Sequence, residues 1–401
     1  MRVDVAPSAD LLARMGHPHR NFRAVHVAGS KGKGSTALLI AEGLRRAGYR
    51  VGLYTSPHVE HVHERISVDG EAITDTSLAA ALVVALDARE EALAAHTPAG
   101  DATWFDVLTA SACGHFAAES VELAVIECGL GGRLDSTNIV APVLTVLTRI
   151  ELEHADMLGD SLAKIAAEKA GILAPGVPAI ACGAVYGTEV GECLRAAADL
   201  LGTSLVNVPA AMFGSIGARN LALAGAALGQ LGAGSGGLVD QDGQALGPHL
   251  LTTELGPLPH LPGRLERGDV DGVPVVLDGA HVPASLTAVL GDLKADPALK
   301  GPLHCIFGCG RDKDAAGLLK ALVPWVDRTL CTRAGSGPHA APADLAVLAT
   351  DLGLRAQAVD DPASALIDAL RAARAAGGWV LVIGSLHLVG ALRSSIRLTP
   401  C

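Results

Sequence analysis

Aromatic residues are scarce in this chain, 5 Phe, 3 Tyr and 3 Trp among 401 residues, and lysine is scarcer than arginine, eight against 23. Each aromatic or lysine that falls inside a motif is therefore informative. No Cys-x-x-Cys pair occurs. The eight cysteines (Cys113, Cys128, Cys182, Cys193, Cys305, Cys309, Cys331 and Cys401) are scattered, which argues against a disulfide framework and for reduced thiols packed as small apolar groups. An excess of base is missing too: 31 Lys and Arg stand against 42 Asp and Glu, a formal charge of −11. A cationic groove for nucleic acid is not expected at that balance. Long apolar runs are absent. The first residues carry no signal-peptide stretch, and the longest uncharged run, 220–239, is interrupted by glycines and makes a poor membrane span. These absences lead to the expectation of a soluble cytoplasmic monomer with no nucleic-acid or membrane partner. Glycine (47) and proline (21) are plentiful, half the residues are hydrophobic, and no Gly-X-Y period appears. That excludes a disordered or collagen-like chain. At roughly 150 residues per domain the length suggests two or three domains.

Strand-like runs alternate with longer helical patterns, the mark of an α/β fold with a mostly parallel sheet. Strands are expected at 24–28, 51–55, 123–127 and 143–147, and helices at 37–47, 78–95, 162–170 and about 220–231. The Gly-rich stretch 232–247 and prolines 257, 259 and 262 read as the approach to a domain boundary. The alternation then resumes more compactly, with strands expected at 273–277, 303–307, 328–332 and 379–383. The reading is of a first domain over 1–257 and a smaller Rossmann-like one over 262–401.

Gly29-Ser-Lys-Gly-Lys-Gly-Ser-Thr36 lies between a strand and a helix. Glycines let backbone N–H groups turn towards phosphate oxygens, the helix N-terminus adds positive potential, and a lysine neutralises charge. Gly29, Gly32, Lys33, Gly34, Ser35 and Thr36 are accordingly nucleotide-phosphate candidates. The run departs from strict G-x-x-x-x-G-K-[ST], because Val27 takes the place of the first glycine and Gly34 follows Lys33. Glu127 closes an apolar strand before Gly129-Leu-Gly-Gly132, a place that suits Mg²⁺, a hard cation preferring oxygen. Glu153-His154 follows the next strand and could complete that shell. His58, His61 and His63 read as a histidine-rich, strand-forming loop, not as a metal cluster.

Taken together, His26–Thr36, Tyr54-Thr-Ser-Pro-His58, Glu64-Arg-Ile66 and Glu127-Cys-Gly-Leu-Gly-Gly-Arg-Leu-Asp-Ser-Thr-Asn138 resemble the folylpolyglutamate synthase/dihydrofolate synthase family of the Mur ligase superfamily. So do Leu158-Gly-Asp160, Glu168-Lys-Ala-Gly-Ile172, Pro262-Gly-Arg-Leu265, Asp278-Gly-Ala-His281 and Gly384–Gly390, in the family's order along nearly the whole chain. The resemblance implies a P-loop Mur-ligase-type ATPase domain followed by a Rossmann-like domain that completes the ATP and amino-acid site, with closure of the two around ATP. It implies an ATP-dependent amide ligase that activates a carboxylate as an acyl phosphate and joins it to the amine of glutamate. ATP and Mg²⁺ would be required, with Ser56, Glu127 and His154 as metal ligands. Lys33, Lys169 and His154 would be catalytic, Lys169 matching a carbamylated lysine. Asn220, Arg264, Asp278 and His281 match nucleotide contacts.

On the acid side, Thr103-Trp104-Phe105-Asp106 resembles the family's Thr-aromatic-Phe-Glu segment, and Leu134-Asp135-Ser136 its second substrate stretch. An aromatic pair beside an acid suits a flat heterocycle such as a pterin, although Trp104 and Phe105 also fit plain core packing. Arg311–Asp314 reads either as a family motif or as a solvated turn. Several positions depart from the pattern. The chain begins where the family has a pterin-contacting segment, Ile216-Gly217 replaces a His-Gln pair, Val282 an asparagine, and Glu153-His154 an Asp-His. These admit a paralogous ligase of specialised metabolism acting on a non-folate acid. A P-loop kinase or regulatory nucleotide-binding protein explains the first motif but not Glu127, Lys169 and Asp278.

Overall fold

Alternation of apolar residues along the strands dictates how the first sheet is covered. In the computed structural model, β1 (Arg23–Ala28) turns Val25 and Val27 towards one core, and Ala24 and Ala28 towards cores on the other face. The structure describes residues 4–183, 187–209, 213–233, 237–335 and 337–398. It divides into two compact units, residues 1–259 and 260–401.

Unit 1 opens with α1 (Ala6–Arg14). After β1 come α2 (Lys33–Arg46), β2 (Val51–Tyr54), the short β3 (Ile66–Val68) and β4 (Glu71–Ala72), α3 (Asp75–Ala94) and α4 (Trp104–Ala118). Next are β5 (Leu123–Glu127), β6 (Pro142–Leu147), α5 (Ala155–Leu158), α6 (Leu162–Ala170), β7 (Ala179–Cys182), α7 (Glu189–Leu200), β8 (Leu205–Val208) and α8 (Ile216–Gly232). The eight strands run in the order β4-β3-β2-β5-β1-β6-β7-β8, parallel from β2 to β8, with β3 and β4 antiparallel at one edge. Central strands buried on both faces read as continuous apolar runs, as β5 does.

Helices α2 and α8 cover one face through Leu44, Leu223 and Leu228. Gly43 of α2 lets α8 come close, since a Cβ there would overlap Leu228 Cδ1. Helices α1, α3 and α4 cover β2, β5 and β1 on the other face through Leu11, Ala85, Leu108 and Phe116. Helices α6 and α7 cover β6 and β7 through Ile165 and Leu194.

Unit 2 contains β9 (Glu266–Val270), β10 (Val273–Leu277), α9 (Pro283–Lys294), β11 (Leu303–Phe307), α10 (Ala315–Leu322), β12 (Val326–Cys331) and α11 (Pro342–Asp351). It ends with β13 (Ala356–Ala358), α12 (Pro362–Ala376), β14 (Trp379–Ile383), α13 (Leu386–Arg393) and β15 (Arg397–Leu398). The sheet order is β13-β12-β11-β14-β10-β9-β15, parallel from β13 to β10, with β9 antiparallel to both β10 and β15. The fold class expected from the sequence, α/β with mostly parallel sheets, is the one found.

The differences are local. Helix α2 starts at Lys33, ahead of the expected Ala37, because Gly32 takes a left-handed φ of 86° and caps it. The histidine segment is not strand-forming: Val62–Arg65 is a 3₁₀ turn capped by His61. Glu64 folds that loop back by accepting from the backbone N–H groups of Val59, Glu60 and His61 at 2.8, 2.8 and 2.7 Å. Among the described residues no helix is long and apolar enough to cross a membrane. Cys401 and the first three residues lie outside the described residues.

The contact at Gly43 makes a testable prediction. Gly43→Leu overpacks the seam between α2 and α8, and urea unfolding should show a loss of about 1–3 kcal/mol. An unchanged midpoint would mean that α8 does not rely on that gap.

Candidate active site

The loop after β1 owes its path to two glycines. A Cβ on Gly29, at φ 145°, would fall on the Thr148 hydroxyl, and one on Gly32 would lie 2.5 Å from Asn220 Oδ1. The backbone therefore passes against the end of β6 and against α8 with no side chain between. The N–H groups of Ser30 and Lys31 donate to Arg149 O at 2.8 and 3.2 Å. Ser30 Oγ and the Glu151 backbone bond reciprocally at 3.0 Å. Lys33 begins α2 and reaches back to Ser30 O at 3.4 Å. Gly34 and Thr36 are buried in the first turn, and Thr36 Oγ1 has no partner among the described residues. A loop with these features, two lysines and an unspent hydroxyl at a helix N-terminus, fits a polyphosphate.

A cluster of charge lies beneath the loop. Lys169, on α6, is 1% exposed, and its Nζ donates to Gly29 O at 2.8 Å and to Glu153 Oε1 at 3.1 Å. The other Glu153 oxygen is 3.4 Å from Lys31 Nζ. Burial pushes the Lys169 ammonium down to about 8, the nearby Lys33 charge adds to this, and Glu153 partly offsets it. Burial alone would raise Glu153, but Lys33, Lys169 and Lys31 together hold its carboxyl below the usual range. Lys31 was not among the expected site residues, and Glu153 was expected beside a metal, not between two lysines. The sequence signal was present, since Lys31 is in the loop and Glu153 precedes His154.

Glu127 is 3% exposed at the end of β5, and the Ser56 N–H donates to its Oε2 at 2.9 Å. The structure thus brings Ser56 and Glu127 together. His154 lies on the loop after β6 with a left-handed φ of 48° and an exposed side chain. No group of three His, Cys, Asp or Glu side chains capable of holding a metal occurs among the described residues. A single buried carboxylate with the Ser56 backbone beside it suits a cation that keeps waters and shares phosphate oxygens, as Mg²⁺ does, better than an all-protein cage. His58 accepts from Arg65 Nε at 2.8 Å, and His63 pairs with Asp75 at 2.8 Å.

On the acid side, the residues of Thr103–Asp106 separate. Thr103 and Asp106 form the capping box of α4. Asp106 is 4% exposed. Its Oδ1 accepts from Ser8 Oγ and Ser136 Oγ, each at 2.6 Å, and its Oδ2 accepts from Thr103 N and Oγ1 at 2.8 and 2.6 Å. Both oxygens are thus engaged within the protein, tying α1, α4 and the Gly-rich turn together. Phe105 packs 6.0 Å from the Tyr54 ring and against Gly129, where a Cβ would come within 2.6 Å of it. Trp104 instead is 56% exposed, with the Arg65 guanidinium 4.8 Å from its ring centroid.

Asp135 is buried, and burial raises its carboxyl; it braces the turn by accepting from Leu130 N at 2.7 Å and Thr137 Oγ1 at 2.5 Å. Thr137 in turn meets His26 Nε2 at 2.9 Å. Leu134 lies in this turn beside them. A cavity of about 390 Å³, walled by Asp4, Pro7, Leu93, His96, Thr97 and Asp101, shares no residue with the cluster.

Within unit 2, Asp278 is 5% exposed and accepts from Leu265 N and Ala280 N, each at 2.8 Å; burial raises it, against the pull of Arg264. His281 Nδ1 lies 2.9 Å from Gly279 O. Arg311 Nε donates to His339 O at 2.8 Å, and Lys313 pairs with Asp312 at 2.8 Å, so this turn is held from within.

Comparison with known proteins assigns the class first. Residues 263–386 match the family described as "Mur ligase, glutamate ligase domain". The chain is 32% identical over 425 residues to a probable bifunctional folylpolyglutamate synthase/dihydropteroate synthase of Haloferax volcanii, covering 98% of this chain and 49% of that protein. It therefore spans about half the length of that relative. It is 33% identical over 385 residues to the dihydrofolate synthase/folylpolyglutamate synthase of Escherichia coli, covering 90% of this chain and 84% of that one. The solved structure of E. coli FolC in complex with DHPP and ADP aligns with a TM-score of 0.81 at 28% identity, covering 98% of this chain and 93% of the other. The chain belongs to the folylpolyglutamate synthase/dihydrofolate synthase family.

Asp106 and Trp104 differ in what their removal should do. Asp106→Ala orphans four donors and removes a cap, so urea unfolding should report a loss of at least about 2 kcal/mol. Trp104→Ala, at an exposed site, should cost less than about 1 kcal/mol. Equal losses would contradict the division between a structural acid and a surface ring.

Proposed function

We propose that this chain is an ATP-dependent ligase that joins the carboxylate of a folate-type acid to the amine of glutamate. The observation that carries this reading is the charge cluster itself: Lys31 and Lys33 of the glycine loop and Lys169 beneath it, gathered around Glu153. The names of the relatives support it, as does the DHPP and ADP complex of the E. coli protein. In this reading a carboxylate oxygen of the acid attacks the γ-phosphorus, ADP leaves, and the acyl phosphate carries the activated carbonyl. The glutamate amine then attacks that carbon, phosphate departs, and the nitrogen loses a proton.

Such chemistry needs charge stabilisation around phosphate more than covalent help from protein. Gly29, Gly32, Gly34, Ser35 and Thr36 cradle the phosphates and Lys33 neutralises them. Asn220, against Gly32, sets the loop's height. Mg²⁺, when bound, would supply further positive charge on the phosphate oxygens; Ser56, Glu127 and His154 are the residues to hold it. Lys169 holds the loop from below through Gly29 O. Burial, which lowers its pKa to about 8, also makes the neutral amine more accessible than in an ordinary lysine. That neutral amine can add CO₂ to form a carbamate, an anion able to bind metal or orient phosphate. Arg264, Asp278 and His281 are assigned to the nucleotide by resemblance, with Asp278 also shaping its own turn.

Three tests follow from these roles. ADP release should require the acid and glutamate together; ADP formed from ATP with pteroate and glutamate supports the folate reading. ADP formed only with non-pterin acids would move the protein to a different substrate class. Lys33→Ala should lower turnover by at least about a hundredfold, with thermal unfolding little changed, because its side chain serves the ligand and not the core. With ¹³C-bicarbonate, a carbamate resonance should strengthen from pH 7 to pH 8 and be missing in Lys169→Ala. A wild-type spectrum without that resonance would remove the carbamate from the mechanism.

A further inference from the structure

Arg65 is a residue to which the motifs assign no task. It precedes β3, whose ladder sets Ile66 against Tyr54, and its carbonyl accepts from Thr55 N at 2.9 Å. This seats Arg65 opposite the segment that delivers Ser56 to Glu127. The side chain is only 8% exposed, yet it makes no salt bridge among the described residues. Its Nε donates to His58 Nδ1 at 2.8 Å, its guanidinium lies 4.8 Å from the centre of the Trp104 ring, and neither Nη nitrogen makes a hydrogen bond among the described residues. Glu127, Glu64 and Tyr54 are close enough to act on it electrostatically, and burial weakens its hold on its proton.

The Nη nitrogens of this mostly buried guanidinium have no partner among the described residues and are not sealed from solvent, so they remain available to a ligand. Arginine presents those donors as a flat fork that matches the two oxygens of a carboxylate. The neighbouring ring, 56% exposed with the guanidinium stacked against it, offers an aromatic surface beside the fork.

We propose that Arg65 binds the carboxylate of the acid substrate, with Trp104 stacking on the aromatic body of the same molecule. The assignment rests on the reading that the acid is a pterin-type aryl carboxylate. It makes Arg65 the residue that presents the nucleophilic oxygens on the side of Glu127, and it gives Trp104 a task distinct from the packing role of Phe105. The shared chemistry is oxyanion binding, so a phosphate of the nucleotide is the competing source of the anion.

Calorimetric titration of the full chain separates these possibilities. The ligands are pteroate, 6-methylpterin (the pterin ring, lacking the aminobenzoyl ring and its carboxylate) and ADP, measured on wild type, Arg65→Lys and Arg65→Gln. Wild type should favour pteroate over 6-methylpterin, and both variants should lose about tenfold or more of that preference. Their ADP affinity should remain within about twofold, which also shows that they are folded. Trp104→Ala should weaken both pterin ligands together. Parallel weakening of pteroate and 6-methylpterin in the Arg65 variants, or no change in either, would overturn the assignment. So would a loss confined to ADP, which would move Arg65 to the nucleotide. If wild type forms ADP with pteroate and glutamate but the variants bind pteroate as well as it does, the ligase reading stands and only Arg65's role falls. If wild type binds ADP but neither pterin ligand, the pterin reading and this assignment fall together.

Discussion

Three ammonium groups and one carboxylate share the space under the glycine loop, and the rest of unit 1 depends on keeping them there. Glu153 and Lys169 have side-chain exposures of 8% and 1%, depths at which an uncompensated charge is strongly unfavourable. The cluster is tolerable because each charge has a partner: Glu153 divides its oxygens between Lys169 and Lys31, and Lys169 also reaches Gly29 O. The excess is positive, since Lys33 bears on both Glu153 and Lys169. A surplus of half-buried positive charge beside a loop with no side chains at its tightest points is a standing attraction for a polyanion. Parallel strands β1, β5 and β6 make this possible by ending at the same edge of the sheet, so that the loop, Glu127 and Glu153 follow directly from them.

The segment around Trp104 depends on two buried aspartates. Asp106 gathers hydroxyls from α1, α4 and the Gly-rich turn, and Asp135 braces that turn from the other direction. Neither needs to touch a ligand to matter. Asp106 fixes the start of the helix from which Trp104 projects, and Asp135 fixes the neighbouring turn. The contrast between Trp104 and Phe105 has the same origin. Adjacent residues at the start of a helix point about 100° apart, so one meets Gly129 and Tyr54 while the other meets Arg65 and solvent.

Much of this was legible in the chain. β5, α6, β10, β11 and β14 fall where apolar runs and helical periods put them, because buried parallel strands have no polar face to blur the pattern. The short edge strands β3 and β4 and the strands β9 and β15 were not foreseen. Segments of two to five residues with half-exposed pairing carry too little periodicity to read. The histidine loop misled for a related reason: a single glutamate, Glu64, bonding three backbone N–H groups outweighs any propensity of its neighbours. The start of α2 depended on one dihedral, at Gly32, which the helical pattern after it could not report.

By itself the sequence determined the class of chemistry to expect, because the glycine loop, its lysines and the strand-ending acid are contiguous motifs whose chemistry follows from residue type and local geometry. It also determined the family, since those motifs recur in order along the chain. Tertiary structure alone decided which partners each charge has. Lys31 and Lys169 are far apart in sequence but meet on one glutamate. Asp106 proved to be filled by protein donors, and Arg65 proved to be largely buried with no partner for its Nη nitrogens among the described residues. These are matters of distance and burial, which depend on how separate strands and helices pack, and no local pattern encodes them.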